Sequence, residues 1–342
     1  MELRTLGGTG MKVSPLCLGT MMFGAMGNPD HDDCVRIIHR AIDAGITFID
    51  TADVYSRGES EIIVGKAIKG RRDDLVIATK FFNPMSDDPT HRGGSRRWIT
   101  RAVEDSLRRL GTDYIDLYQM HRYDVSTDVE EVLFTLTELV RQGKVRAFGS
   151  SMFPADRIVE AQWTAEKRGL LRFRSEQPWY SIFSRDIERF VLPACQRYGM
   201  GVITWSPLDG GFLTGRFRTP EDLPQDGRIA TFSRRIRGGF DAHEAYILRK
   251  LDVVAELVPM AEEAGMTLAQ LAVAFTLEHP AVTASIIGPR TMDQLEGLLA
   301  AGTIRLAPEM LDRIDALAPP GSSLNPIADM PSGTAKTVIR RG

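Results

Sequence analysis

Residues 45–55 read Gly45-Ile46-Thr47-Phe48-Ile49-Asp50-Thr51-Ala52-Asp53-Val54-Tyr55, and this stretch decides the fold. The apolar pair Phe48-Ile49 is followed at once by the carboxylate of Asp50 and, five residues later, by the phenol of Tyr55. A buried strand shows this pattern when it delivers polar groups to the rim of a sheet. In parallel α/β folds, catalytic groups lie at that carboxyl end of the strands. The structural alternative is that Asp50 caps a helix beginning near Gly58 and that Tyr55 packs on a loop.

Composition narrows the class of protein. Of the 342 residues 43% are hydrophobic and 25% are charged, which is typical of a globular protein with a large core. A net charge of −3, with both signs scattered, argues against nucleic acid or an acidic membrane as the main partner. Cys17, Cys34 and Cys195 form no CxxC pair, so we expect buried thiols and neither a disulfide nor a metal site. The absence of a signal-like or membrane-spanning apolar run predicts a cytoplasmic protein.

Apolar runs and helix-like periodicities alternate along the chain. Residues 1–15 predict a small hairpin that turns at the glycines of 7–10. The apolar runs predict eight strands, at residues 16–19, 46–50, 75–80, 114–119, 145–149, 173–177, 201–205 and 284–287. Each run is followed by apolar residues at helical spacing, and this strict alternation predicts an α/β fold, the (β/α)8 TIM barrel.

The alternative architecture is a doubly wound open sheet, which normally carries Gly-x-Gly-x-x-Gly after an early strand. No such motif follows the first predicted strand at 16–19. No linker-like stretch interrupts the chain, so we predict a single domain over residues 1–342. The stretch 319–342, which begins Pro319-Pro320-Gly321, is expected to be a tail that crosses one face of the barrel.

Four polar residues are expected at the carboxyl ends of three neighbouring strands. Asp50 ends the second predicted strand, and Tyr55 follows it. Lys80 ends the third strand, and His121 follows the fourth. Taken singly, Lys80 could be a solvated rim lysine and His121 a loop histidine. An acid, a phenol, an amine and an imidazole at one rim together favour a catalytic site.

These residues also carry a resemblance to a known family. The sequence has Asp-x-x-x-x-Tyr from Asp50, Ala-Thr-Lys ending at Lys80, and His-Arg from His121 after a Tyr-Ile-Asp-Leu-Tyr strand. In this order it resembles the aldo-keto reductase superfamily over essentially the whole chain. The motifs most similar to the branch with bacterial general reductases and potassium-channel β subunits are Glu176-Gln177-Pro178, Trp205-Ser206-Pro207-Leu208 and Leu213-Thr214-Gly215-Arg216.

The resemblance implies an NADP(H)-dependent oxidoreductase that reduces aldehydes and ketones to alcohols. Tyr55 would act as the general acid, and Lys80 beside it would favour the phenolate. Asp50 would hold Lys80 charged and oriented through a salt bridge. His121 would donate a hydrogen bond to the carbonyl oxygen as negative charge develops there. This chemistry requires no metal.

The resemblance also implies where the cofactor binds. Ser151 and Gln177 would contact the nicotinamide carboxamide, and Trp205 would stack on the ring, although a core aromatic at that strand end is the alternative. The loop after the seventh strand would wrap the pyrophosphate. The assigned residues are Gly19, Thr20, Met21, Asp50, Ser151, Gln177, Trp205, Ser206, Pro207, Leu208, Gly210, Gly211, Arg216, Gly288, Arg290 and Gln294.

The preference for NADP(H) over NAD(H) comes from the stretch after the last strand. Gly288 frees the backbone, the next helix presents its N-terminus to an anion, and Arg290 can grip a 2′-phosphate. Two positions depart from the family pattern. Met152 replaces an asparagine that contacts the carboxamide in many members, and Leu298 replaces one that lies near the adenine.

Apolar residues at the tetrad's end of the barrel predict a hydrophobic pocket for a small carbonyl substrate. They are Met22, Phe23, Phe81, Phe82 and Trp179. The alternative is that these side chains only pack the loops. Residues 210–243, rich in arginine, predict either a lid over the cofactor or a solvated loop.

Two other functions stay open at this point. One is an NADP(H)-binding regulatory or assembly subunit similar to the channel β subunits, where the histidine is commonly replaced, so His121 favours catalysis. The other is a barrel hydrolase or aldolase in which Lys80 forms a Schiff base. The sequence leaves the substrate and the oligomeric state, monomer or homo-oligomer, undetermined.

Overall fold

The structure is a computed structural model, and it describes residues 1–225, 230 and 239–325. Eight parallel strands close into a barrel, because the last of them pairs with the first. They are β3 Leu16–Gly19, β4 Phe48–Asp50, β5 Val76–Phe81, β6 Ile115–Met120, β7 Val145–Ser151, β8 Ser175–Gln177, β9 Gly201–Thr204 and β10 Val282–Ile287. The predicted TIM barrel is confirmed, and the doubly wound sheet is excluded.

Helices surround the barrel and follow its strands. They are α1 His31–Asp43, α2 Glu59–Ile68, α3 Arg96–Leu110, α4 Val129–Arg141, α5 Ala155–Arg168, α6 Val191–Arg197, α7 Ala245–Glu263, α8 Leu268–Glu278, α9 Met292–Leu299 and α10 Pro308–Leu317. Several begin at a side chain that accepts from the first-turn amides, as Asp30, Ser95 and Thr267 do. Arg228, Arg234, Arg235 and Arg237 of the predicted lid lie outside the described residues, as does the tail from residue 326.

Three observations bear on the class of protein. Cys17, Cys34 and Cys195 are buried free thiols, as expected. No helix in the described ranges is both long and apolar enough to cross a membrane. Within those ranges, no group of three or more His, Cys, Asp or Glu side chains could hold a metal ion.

The barrel interior follows the two-residue period of its strands. A cluster inside the barrel contains Phe48 of β4, Ala78 of β5 and Leu117 of β6. Two residues further along each strand, the side chain faces the same way, because successive side chains alternate. Those positions hold Asp50, Lys80 and Gln119, and strand pairing sets Lys80 beside Gln119. The interior therefore changes from apolar to polar at the carboxyl ends of the strands.

The N-terminal hairpin closes the other end of the barrel. Its strands, β1 Arg4–Thr5 and β2 Lys12–Val13, pair antiparallel as predicted for residues 1–15. Leu6 and Val13 are fully buried in the interior cluster. At Gly7 a Cβ atom would lie 2.4 Å from a backbone nitrogen of β9, so only glycine permits this close approach. The hairpin does not cover the opposite end, where the strands become polar, so the candidate site lies there.

Two of the residues predicted to line an exposed pocket are instead core residues. Phe23 and Phe81 are both fully buried, so the expectation of exposure is wrong for them. Lys80 points into the barrel, and the next residue must therefore point outward into the helix layer. There the Phe81 ring packs on Tyr118, with ring centroids 4.8 Å apart. Phe23 lies in the same outer core.

We predict that Phe81→Ala lowers the free energy of unfolding by roughly 3–5 kcal/mol, because it leaves a cavity in the packed helix layer. Phe134→Ala, on the exposed face of α4, is the matched control and should cost less than about 1 kcal/mol. Urea unfolding of both variants checks this. Equal losses in the two variants would contradict the core assignment of Phe81.

Candidate active site

A buried ion pair lies at the centre of the polar rim. Lys80 Nζ lies 2.5 Å from Asp50 Oδ2 and also donates to the Thr51 carbonyl oxygen at 2.9 Å. Lys80 is fully buried, and Asp50 is 2% exposed. Burial lowers the pKa of Lys80, but the charges of Asp50 and Tyr55 and their hydrogen bonds outweigh it, and the net pKa is raised. The amine is therefore charged at neutral pH.

The second oxygen of Asp50 is held by two amides. Gln177 Nε2 donates to Asp50 Oδ1 at 2.8 Å, and Gln119 Nε2 donates to the same oxygen at 3.1 Å. Gln177 also donates to Gln119 Oε1 at 3.2 Å. All three side chains are buried, so the carboxylate keeps its hydrogen bonds although it is cut off from water. Gln119 was not predicted from the sequence, although its place two residues after the inward-facing Leu117 indicates that it also faces the barrel interior.

Tyr55 lies next to the amine and is partly exposed. Lys80 Nζ donates to its phenolic oxygen at 3.2 Å. The two residues that follow, Ser56 and Arg57, have left-handed backbones with φ of 48° and 54°. Non-glycine residues rarely adopt this conformation, and here it turns the chain sharply after the phenol. Tyr55 therefore lies at the opening of the site, and the charged amine of Lys80 lies buried behind it.

His121 completes the predicted tetrad and lies directly beside the phenol. Its ring meets that of Tyr55 edge to face, with centroids 5.9 Å apart. Burial, together with the positive charges of Lys80 and Arg122, holds the pKa of His121 well below its usual range. The imidazole is therefore neutral at physiological pH.

The tautomer of this neutral ring is set by Asn83. Asn83 Nδ2, which can only donate, lies 2.9 Å from His121 Nδ1. Nδ1 must accept, so the single ring proton resides on Nε2 and is available as a donor. Asn83 was not found from the sequence, because a loop asparagine after β5 carries no periodic signal. The structure brings all four predicted catalytic residues together.

The residues predicted to contact the nicotinamide lie at the ends of β7, β8 and β9. Ser151 Oγ donates to the backbone oxygen of Gln177 at 2.9 Å. Met152, at the position where the family pattern has asparagine, has a left-handed backbone with φ of 60°. The Trp205 ring stacks on Trp179 with centroids 5.4 Å and planes 22° apart. One face of Trp205 is therefore covered by protein, and at most one face can receive a nicotinamide ring.

The loop after β9, residues 206–211, contains four left-handed residues. They are Ser206, Asp209, Gly210 and Gly211. A Cβ at Gly211 would lie 3.1 Å from a guanidinium nitrogen of Arg216, so the arginine head lies directly against this loop. Such turns form concave backbone surfaces that bind anions. Pro207 is buried and Leu208 is partly exposed, so the loop is anchored on its inner side.

The predicted 2′-phosphate residues surround the first turn of α9. Gly288 and Arg290 are exposed, and a Cβ at Gly288 would meet no atom within 4 Å. The Arg290 amide donates to Gln294 Oε1 at 2.8 Å, and Thr291 caps the helix. Open space, a cationic side chain and a helix N-terminus therefore occur together, which fits a phosphate monoester. Leu298 is buried in the core.

The rim also contains the last residue of β3, Gly19, and the residues that follow it, Thr20, Met21 and Met22. A Cβ at Gly19 would lie 2.5 Å from the Cγ2 methyl of Ile286, so a larger residue here would force the Ile286 side chain to move. The Thr20 amide and hydroxyl both donate to the Asp50 carbonyl oxygen, and Thr20 is fully buried. Of the predicted substrate residues, Met22, Phe82 and Trp179 are partly exposed. These three are the members of that set that can contact a ligand.

Glu176, in the family motif Glu176-Gln177-Pro178, is a buried carboxyl to which the sequence assigned no role. Its oxygens accept from Ser150 Oγ at 2.5 Å and from the Phe153 amide at 3.1 Å, which ties the loop after β7 to β8. Burial raises the pKa of Glu176 to about 7, against the lowering effect of these hydrogen bonds and of Arg122. Glu176 therefore titrates near neutrality next to Gln177.

With this geometry established, comparison with known proteins identifies the family. A sequence model described as "Aldo/keto reductase family" matches residues 15–319, which include every barrel strand and the whole tetrad. The chain therefore belongs to the aldo/keto reductase family. The resemblance seen in the order of Asp50, Tyr55, Lys80 and His121 is confirmed.

Relatives with differing names align along nearly the full chain. "Uncharacterized oxidoreductase YrpG" of Bacillus subtilis is 40% identical over 330 residues, covering 93% of this chain and 96% of the relative. "Probable voltage-gated potassium channel subunit beta" of Oryza sativa is 35% identical over 324 residues, covering 93% and 96%. "Versiconal hemiacetal acetate reductase" of Aspergillus parasiticus is 33% identical over 342 residues, covering 92% and 96%.

We predict that Glu176→Gln makes stability less dependent on pH. The pKa in the folded protein, about 7, is above the ordinary value of 4.5, so the folded state binds the proton more tightly. The stabilisation from Glu176 is thus full below pH 4.5 and is lost as pH rises through 7. Relative to the wild type, Glu176→Gln should gain on the order of 2 kcal/mol between pH 5 and pH 8.

Urea unfolding of the wild type and of Glu176→Gln at both pH values measures this. Glu166→Gln, on α5 at the surface, is the control and should show the same pH dependence as the wild type. A constant difference between Glu176→Gln and the wild type at pH 5 and pH 8 would mean that Glu176 does not titrate in this range.

Proposed function

We propose that the protein is an NADPH-dependent reductase of aldehydes and ketones. The observation that carries the proposal is the sealed Asp50–Lys80 pair, which donates a hydrogen bond to a partly exposed phenol beside a neutral histidine. Family membership and relatives named as an oxidoreductase and a reductase support the same class of reaction. We further propose that the protein is cytoplasmic and acts on a small carbonyl compound.

Bound NADPH would supply the hydride that adds to the carbonyl carbon. The phenolic proton of Tyr55 then passes to the oxygen as it becomes an alkoxide. Lys80 lies 3.2 Å from the Tyr55 oxygen and remains charged, so it stabilises the phenolate left behind. Asp50 keeps Lys80 charged and fixed in place through their buried contact.

His121 is assigned the second contact to the substrate oxygen. With its ring neutral and Nδ1 engaged by Asn83, the imidazole can donate from Nε2 to the carbonyl oxygen. This hydrogen bond strengthens as negative charge builds on the oxygen, which lowers the activation free energy of the reduction. A charged imidazolium would compete with Tyr55 as the proton donor, and the lowered pKa prevents this.

NADP(H) is the cofactor that these residues fit best. Gln177 and Ser151 at the strand ends would hold the carboxamide, and the 206–211 loop with Arg216 would hold the pyrophosphate. Arg290 and the start of α9 would hold the 2′-phosphate. None of these cofactor residues is a member of the tetrad. Gln177 is linked to the tetrad by its hydrogen bond to Asp50.

A second candidate is an NADP(H)-binding regulatory subunit. It is favoured by the Oryza sativa relative, which is named as a probable channel subunit. The complete tetrad, with His121 in contact with Tyr55, weighs toward turnover as the main function. The two candidates share a cofactor and differ in whether the tetrad reacts.

We predict that Tyr55→Phe lowers kcat for aldehyde reduction by at least about 100-fold, because the proton donor is lost. NADPH affinity should stay within about twofold, since the phenolic oxygen is assigned to the substrate. Single-turnover kinetics and NADPH titration measure the two quantities. Tyr114→Phe, at the opposite end of the barrel, is the matched control. Unchanged turnover in Tyr55→Phe would refute the acid assignment.

We predict that Arg290→Ala weakens NADPH binding by roughly 10- to 100-fold and leaves NADH binding nearly unchanged, because only NADPH carries the 2′-phosphate. Tryptophan fluorescence titration with each cofactor measures this. Arg313→Ala, which breaks an exposed ion pair with Glu263, serves as the control. If both cofactors lost affinity equally, Arg290 would have no role in reading the phosphate.

A further inference from the structure

Three buried polar side chains outside the tetrad form a closed triangle of hydrogen bonds behind the 206–211 loop. Lys250 Nζ donates to Asp209 Oδ2 at 2.6 Å and to Asn325 Oδ1 at 2.5 Å. Asn325 Nδ2 donates to Asp209 Oδ1 at 3.0 Å. Asp209 and Lys250 are each 3% exposed, and Asn325 is 8% exposed. Each member contacts the other two, although they come from a loop, from α7 and from the C-terminal segment.

The triangle holds a residue, Asp209, whose backbone conformation is unfavourable for a non-glycine residue. Asp209 has φ of 45°, in the left-handed region, whereas Leu208 before it has φ of −92° and ψ of 4°. Gly210 and Gly211 tolerate left-handed conformations without cost, but Asp209 does so only when its surroundings hold it. The two carboxylate oxygens are the atoms by which Asp209 is held.

The triangle also compensates the negative charge of Asp209. A carboxylate in a loop that binds a pyrophosphate would repel the ligand. Lys250 neutralises Asp209, and the short contact directs the carboxylate toward the protein interior and away from the open side of the loop. Because both groups are buried, a missing partner would leave an uncompensated charge.

Asn325 is delivered by a segment that is bound along the loop after β8. The Arg185 amide donates to the Ser322 oxygen, and the Leu324 amide donates to the Phe183 oxygen, each at 2.8 Å. Asn325 Nδ2 also donates to Ser184 Oγ at 2.6 Å. The C-terminal segment therefore reaches the carboxyl ends of β8 and β9, 116 positions from Asp209 in sequence.

We propose that Asn325 is a positioning residue for the dinucleotide: with Lys250 it holds Asp209, and so keeps the 206–211 loop in the shape that binds the pyrophosphate. This inference rests on the proposed function, since it assumes that this loop binds that group. The C-terminal segment thus contributes to cofactor affinity without touching the cofactor. Loosening the triangle should raise the rate at which the dinucleotide dissociates.

The test is Asn325→Ala, which leaves the Lys250–Asp209 contact in place. Calorimetric titration uses NADP⁺ and adenosine 2′-monophosphate, a ligand that has the 2′-phosphate but no pyrophosphate. We expect the Kd for NADP⁺ to rise about tenfold, mainly through faster dissociation in stopped-flow measurements. The Kd for the monophosphate should not change, because its site at Arg290 is separate.

Two further variants complete the experiment. Ser184→Ala removes only one bond to Asn325 and should raise the NADP⁺ Kd by about threefold; it also replaces Asn325→Ala if that variant does not fold. Ser322→Ala is the control, because among the described residues its hydroxyl bonds only to the nearby Pro319 oxygen, and it should bind both ligands like the wild type.

The outcomes separate this inference from the proposed function. Equal weakening of both ligands in Asn325→Ala would mean a general structural defect, and unchanged NADP⁺ binding would mean that the loop keeps its shape without Asn325. Either result overturns the inference alone. A wild-type protein that binds neither ligand would overturn the proposed function, and the inference would fall with it.

Discussion

The contact between Asp50 and Lys80 is the constraint on which the rest of the site depends. Both groups are buried, so each needs the other's charge and a full set of hydrogen bonds. Gln119, Gln177 and the Thr51 carbonyl supply those bonds, which explains why the last inward layer of the barrel is polar. Removing either ion would leave the other unpaired in the interior, at a cost of roughly 3–5 kcal/mol.

Because of this polar layer, the two ends of the barrel differ: one end is packed for stability and the other carries the candidate site. The hairpin seals the amino-terminal end with Leu6 and Val13, and it contributes to stability. The carboxyl end carries the tetrad and the loops assigned to the cofactor. Relatives named as an oxidoreductase, as a reductase and as a channel subunit align with nearly the whole chain, so family membership alone does not settle function. The neutral His121 beside Tyr55 is the feature that favours catalysis.

Sequence patterns predicted each barrel strand to within two residues, and all four catalytic candidates do meet at one rim. Sequence patterns gave a wrong prediction where the result depended on which way a side chain faces. Phe81 follows an inward lysine and must face outward, and Phe23 folds into the outer core, so neither is exposed. Asn83 was not predicted, and Glu176 was recognised only as part of a family motif, because their contacts are with residues distant in the chain, His121 and Ser150.

The sequence by itself determined the alternation of strands and helices, the order of the four candidate catalytic side chains and the family. These follow from local periodicity and from short motifs, which need no knowledge of distant contacts. Only the tertiary structure decided the protonation of His121, the sealed state of Lys80 and the joining of Asn325 to Asp209. Such properties depend on burial and on charges brought together across the chain, and closure of the barrel is what brings them together.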